Sequence, residues 1–117
     1  MTAGAQGFPR QARLLVGADF QRVFADARPV RGRYLTLLYR AREGGDEEPR
    51  LGMAIGKRNV RNATDRNRIK RIAREAFRQR RAALPPVDMI VLARAGAGAC
   101  DRRALRSEME TLLDRLQ

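Results

Sequence analysis

Arg66, Lys70, Arg74 and Arg78 recur at every fourth position of the chain. On a helix that spacing stacks side chains along one side, so the four form a cationic ridge with Asn67 and Arg71 beside it. Ile69, Ile72, Ala73 and Ala76 fall together on another arc of about a third of a turn, the apolar stripe that such a helix buries. A row of guanidinium groups on a rigid rod suits one task above others. It binds a polyanion backbone, because the planar fork of Arg matches phosphate geometry.

The basic character extends beyond the ridge. Residues 57–81 hold eleven cations (Lys57, Arg58, Arg61, Arg66, Arg68, Lys70, Arg71, Arg74, Arg78, Arg80 and Arg81) against Asp65 and Glu75. The plainer reading is a solvated helix face with an Arg71–Glu75 pair at i, i+4. One pair does not neutralise eleven cations, although Arg80 and Arg81 at the far end fit the plainer reading equally well. Arg68 points off the ridge, toward a different contact or with its stem along the sheet edge.

Phe20 and Phe24 fit two roles. They can be core, or they can be platforms on which unpaired bases stack. Tyr34 and Tyr39 share the ambiguity; in a strict strand, positions five apart face opposite sides, so only one of them would face the core. The chain has no His and one Cys, Cys100, which excludes His-based acid–base chemistry, an internal disulfide and a thiolate zinc cluster. Its carboxylates fall in caps, turns and a loop, without the convergence that two-metal nucleases require. No catalytic residue and no metal ligand is therefore assigned, and Cys100 has no role.

The 117 residues suit one domain with one modest core, 44% hydrophobic and carrying only six aromatic residues. The formal charge of +12, nearly all from Arg, calls for an anionic partner, nucleic acid before acidic membrane. No apolar run reaches the roughly 20 residues of a membrane span. Residues 1–16 lack the apolar stretch of a secretory signal, so a cytoplasmic location is expected.

The elements that must position these groups follow from pattern. Gly17-Ala18-Asp19 starts a short helix carrying Phe20, Val23 and Phe24 on one face, and Arg28–Gly32 breaks it. Tyr34–Tyr39 and Leu51–Ile55 read as the two strands of a hairpin joined by the acidic loop Glu43–Pro49. Thr64 or Asp65 caps the basic helix, which runs from about Asp65 to Ala83 and stops at Pro85-Pro86. Asp88–Ala93 is nearly continuously apolar, as a buried central strand is. After the small-residue linker 95–99, Asp101 caps a last helix with Leu105, Met109, Leu112, Leu113 and Leu116 as its stripe. The order is α-β-β-α-β-α, with room for a third short strand near Arg58–Val60 or in the first hairpin.

With these residues laid out, the chain resembles the protein subunit of bacterial ribonuclease P. Arg66-Asn67-Arg68-Ile69-Lys70-Arg71 with Arg74-Glu75 and Phe77-Arg78 matches that family's signature helix. Phe8-Pro9-Arg10, Arg13-Leu14-Leu15, Phe20 with Val23-Phe24, Leu51-Gly52 with Lys57-Arg58, and Asp88-Met89-Ile90-Val91 continue the match over about residues 8–116. The N-terminal wording is that of proteobacterial members. The resemblance implies an α/β fold, an α+β sandwich of αβββαβα order with a left-handed β-α-β crossover, against the usual right-handed rule. It implies one domain over 1–117, with 1–7 flexible.

The resemblance also implies a division of labour. A catalytic RNA holds the Mg²⁺ ions and removes the 5′ leader of precursor tRNA. The protein, non-catalytic alone and one per catalytic RNA, binds that RNA and the leader and strengthens metal and substrate affinity. Arg66, Asn67, Arg68, Lys70, Arg71 and Arg74 carry over as RNA-contacting positions, with Lys57, Arg58, Arg61, Arg10 and Arg13 as the flanking basic surface. Phe20 and Phe24 carry over to the leader cleft. Leu38 stands near the position of a cleft aromatic in some members, and the register leaves open whether Leu38 or Tyr39 faces the leader.

Three other functions fit parts of the pattern. A structural RNA-binding protein of ribosomal type would use the basic helix and leave the Phe20/Phe24 cleft idle. A duplex-DNA binder would need a helix-turn-helix pairing, and a strand and turn precede Arg66 instead. A nuclease acting alone would need a catalytic set.

Overall fold

The computed structural model describes residues 17–42 and 48–116. Its elements are α1 (Gly17–Asp26), β1 (Arg28–Arg31), β2 (Leu35–Ala41), β3 (Arg50–Ala54), α2 (Ala63–Arg80), β4 (Val87–Ala93) and α3 (Arg102–Asp114). Short 3₁₀ turns, Arg81–Ala83 and Ala97–Ala99, flank β4. The four strands form one mixed sheet of order β1-β2-β4-β3, with β4 antiparallel to β2 and parallel to β3. The parallel pair makes β3-α2-β4 a crossover unit, the one that carries the basic helix. This is the α+β order that the family resemblance implies.

The apolar run of β4 explains its place. Six of its seven residues are buried, so it needs neighbours on both edges and cover on both faces. It accordingly separates β2 from β3, and the hairpin expected between those two strands does not form. The third strand is β1, in the segment that sequence reads as a helix break. Its Pro29 lacks an N–H donor, which an edge strand tolerates and an inner strand does not.

Alternation along the strands divides the side chains between two layers. Leu35, Leu37, Leu51, Met89 and Val91 pack against Ile69, Ala73, Ala76 and Phe77 of α2 and Leu105, Met109, Leu112 and Leu113 of α3. On the other face, buried Val23 of α1 meets Ile90, with Phe20, Leu38, Ala54 and Leu92 packed around them. Tyr34 and Tyr39 both pack against the larger core. Both can do so because Tyr34 lies before β2 begins, outside the strand's alternation.

Local chemistry sets the helix ends. Asp101 caps α3, its Oδ1 accepting from Ala104 N at 2.8 Å. The N-cap of α2 is Asn62, in extended conformation and without a side-chain cap bond, so neither Thr64 nor Asp65 caps it. That helix ends at Arg80, and the next three residues tighten into 3₁₀ geometry.

One latch joins the layers across the chain. Glu108 of α3 accepts from Tyr34 N at 2.8 Å and Leu35 N at 2.6 Å with the same carboxylate oxygen. A Cβ on Gly32 would stand 2.5 Å from that oxygen, so glycine lets the β1–β2 turn approach it. Replacing Glu108 by Ala leaves two partly buried N–H donors unsatisfied and is expected to lower stability by about 2–3 kcal/mol. Urea unfolding checks this, and Glu108→Gln, which keeps an acceptor, should lose less.

Candidate nucleic-acid interface

The α1 side of the sheet presents a pair of aromatic rings. Phe20 and Phe24, one turn apart, hold their rings 6.4 Å apart and tilted by 27°. Val23 takes the buried position between them, which leaves Phe24 51% exposed, the one exposed large hydrophobic side chain among the described residues. Leu38 lies on this face with Phe20 and Leu92, whereas its neighbours Leu37 and Tyr39 face the larger core. Strand alternation therefore places Leu38, not Tyr39, on the α1 face of the sheet. Beyond Leu92 a cavity of about 500 Å³ lies among Thr36, Ala54, Gly56 and Asn59. Asn59 Nδ2 donates to Ala93 O at 2.8 Å, which ties the exposed turn bearing Lys57 and Arg58 to the end of β4.

The outer surface of α2 carries the cations, and it divides into two groups. Arg66 Nη1 donates to Val60 O at 2.9 Å and Arg61 O at 2.8 Å, which holds the preceding turn against the helix. Arg68 donates to Gly98 O at 2.9 Å and Cys100 O at 3.1 Å, and its guanidinium stands 3.9 Å from Asp65. Both arginines thus have tertiary work inside the fold. The side chains of Asn67, Lys70, Arg71 and Arg74 make no hydrogen bond or ion pair among the described residues, nor do those of Lys57, Arg58 and Arg61. Arg10 and Arg13, like Phe8 and the loop 43–47, lie outside the described residues.

The Arg71–Glu75 pair expected from spacing is replaced by Arg78–Glu75, one turn further along. Hydrogen bonding from Arg78 holds the Glu75 carboxyl below its usual range, and Glu75 in turn raises Arg78. Arg80 is raised by its hydrogen bond to Asp114 of α3. Arg71 is left unpaired at the mouth of a groove between α2 and α3, where Arg102 and Arg103 also project. Those two arginines were not singled out by sequence reading; their position just after the Asp101 cap, at the positive end of a helix, was the available signal. Burial pushes the Cys100 thiol up. Among the described residues no group of three His, Cys, Asp or Glu side chains is placed to hold a metal ion. None of the described helices is long and apolar enough to cross a membrane.

An aromatic pair on one side of the sheet and unneutralised cations on a helix across it fit an RNA-binding α+β sandwich. The ribonuclease P family model matches residues 8–117. The chain belongs to that family, and so has a role in ribonuclease P, a tRNA-processing endoribonuclease of which the family supplies a subunit. It is 47% identical over 113 residues to the ribonuclease P protein component of Chromohalobacter salexigens, covering 96% of this chain and 87% of that one. It is 43% identical to the corresponding component of Thioalkalivibrio sulfidiphilus, covering 95% and 91%. Among solved structures it resembles the Staphylococcus aureus RNase P protein with a TM-score of 0.79 at 29% identity, over 88% of this chain and 93% of that one. The Thermotoga maritima RNase P protein gives 0.76 at 27% identity, over 90% and 97%.

Proposed function

We propose that this chain assists a catalytic RNA in removing the 5′ leader of precursor tRNA, by holding the leader in the α1 cleft and the catalytic RNA on α2. The observation that carries this reading is the separation of the stacked Phe20–Phe24 pair, with the Phe24 ring half exposed, from a set of unpaired cations by the thickness of a sheet. An extended strand crossing the cleft can stack bases on Phe20 and Phe24, pass Leu38, and bring its phosphates to Lys57 and Arg58. Such contacts demand little of the leader's sequence. Asn67, Lys70, Arg71 and Arg74 neutralise phosphates of the catalytic RNA, with Arg66 and Arg68 bracing the helix. Charge screening between two large RNAs strengthens the binding of substrate and of Mg²⁺, which the RNA holds. One protein serves one catalytic RNA, and the protein contributes no reacting group of its own.

The test is 5′-end cleavage of a precursor tRNA at low Mg²⁺ by the protein alone, by ribonuclease P RNA alone, and by both. Activity in the combined mixture only is the expected result. No gain over RNA alone would remove the proposal, and cleavage by the protein alone would overturn its account of catalysis.

A second measurement addresses the cleft. Phe24→Ala is expected to weaken holoenzyme binding of leader-bearing precursor by about 1–3 kcal/mol, the contribution of one stacked base. Binding of leaderless tRNA should not change, nor should the melting temperature, since the ring is half exposed. Equal weakening of both substrates would place Phe24 outside the leader path.

A further inference from the structure

The groove between α2 and α3 lies on the face of the sheet opposite the aromatic cleft. Its volume is about 910 Å³, and five arginines line it: Arg68, Arg71, Arg102, Arg103 and Arg106. Its two carboxylates are already engaged. Glu75 pairs with Arg78, and Glu110 pairs with Arg106 at 2.8 Å and with Arg80 at 3.6 Å. Arg68 is held by the carbonyls of Gly98 and Cys100, and Arg106 by Glu110 and Gln79, so these two form a fixed floor. Arg71, Arg102 and Arg103 are exposed, and their side chains have no hydrogen bond or ion pair among the described residues. The groove therefore keeps a surplus of positive charge on pre-positioned walls.

We infer that this groove is a second RNA site, which takes the sugar-phosphate backbone of a base-paired segment of the catalytic RNA. The inference rests on the proposed assembly with that RNA and adds α3 to the contact surface. Charge complementarity selects a polyanion. The lack of a stacking surface selects a paired segment over a single strand: Ile72 is the one apolar lining residue, and it is largely buried. Paired RNA is recognised through its backbone and shape, which is what arginines on two converging helices can read. Arg102 and Arg103 open α3 at its positive end, where the Asp101 carboxylate already accepts from Ala104 N.

The experiment titrates labelled protein with ribonuclease P RNA over a range of salt. It compares the wild type, Arg102→Gln/Arg103→Gln, the charge-keeping Arg102→Lys/Arg103→Lys, and Lys70→Gln/Arg74→Gln on the ridge. A single-stranded leader oligonucleotide is titrated in parallel. The Gln pair on α3 is expected to weaken RNA binding about twentyfold at 0.15 M salt and to lower the log–log salt slope by about 1.4–1.8, two contacts' worth. The Lys pair should keep most of the slope, the leader oligonucleotide should bind as before, and the melting temperature should hold or rise. Unchanged affinity and slope in the Gln pair, with the ridge pair weakened, would overturn this inference and leave the proposed function standing. If neither pair weakens binding, both fall. Equal weakening toward the leader oligonucleotide would overturn the assignment to paired RNA.

Discussion

Lys70→Gln together with Arg74→Gln is expected to weaken binding of ribonuclease P RNA roughly twentyfold at 0.15 M salt and to reduce the salt slope by about 1.4–1.8. Each phosphate contact contributes about 0.7–0.9 to the slope, which is close to fivefold in affinity at that salt, and the pair removes two. Neither side chain has a partner among the described residues, so the melting temperature should not move. Arg68→Gln makes the contrast. It releases the carbonyls of Gly98 and Cys100, so it should lower the melting temperature as well as the affinity. Titrations and melts of the two variants side by side check the division of α2 into binding and bracing residues. A ridge variant with wild-type slope would mean that Lys70 and Arg74 face solvent in the complex. At low Mg²⁺ the same variant should slow 5′-leader removal, and added Mg²⁺ should restore much of it, because divalent cations can screen phosphates in place of the lost side chains.

Asp88→Ala is expected to destabilise the protein by about 3–5 kcal/mol, the usual effect of removing one member of a buried ion pair. Asp88 is 5% exposed, the one buried charged residue among those described. Arg50 of β3 donates to it through Nε and Nη2, both at 2.8 Å, and Arg42, just past β2, stands 3.5 Å away. The carboxylate on the central strand thus ties the strands on both sides of β4, on the face that also carries Ile90 and Leu92. Without it, two arginines lose their buried counter-charge and the beginning of the parallel pair loses its clamp. For a domain of this size the loss corresponds to more than about 12 °C in melting temperature. Asp88→Asn keeps acceptor capacity but not charge and should fall between. Urea unfolding decides the matter; a loss below about 1 kcal/mol would mean that water already screens the pair. Since the clamp lies under the cleft face, Asp88→Asn should also lower the affinity difference between leader-bearing and leaderless tRNA, at temperatures where the variant is still folded.

The chain's pattern by itself determined a good deal. The period of Ile69, Ile72, Ala73 and Ala76 defined a helix and its buried side, and Phe77 joins that stripe. The apolar run of β4 marked a central strand, and Asp101 capped the helix that its position announced. The order of the basic and aromatic motifs was enough to suggest the family that residues 8–117 match. These properties are local: periodicity, capping and motif order are carried by residues near one another in the chain. What only the tertiary structure decided depends on residues far apart. Sheet order is one case, since β2 and β3 look like a hairpin until β4 competes for the space between them. The role of each arginine is another. Arg66 and Arg68 look like Lys70 and Arg74 in sequence, yet the carbonyls of residues 60, 61, 98 and 100 engage the first two only. Glu75 chose Arg78 over Arg71 through side-chain geometry that spacing does not resolve. Arg102 and Arg103 became part of a groove with Arg71 only when α3 packed beside α2. A guanidinium becomes a brace or a binding group according to which acceptors the folded chain brings within reach, and that reach is set by the packing of distant segments.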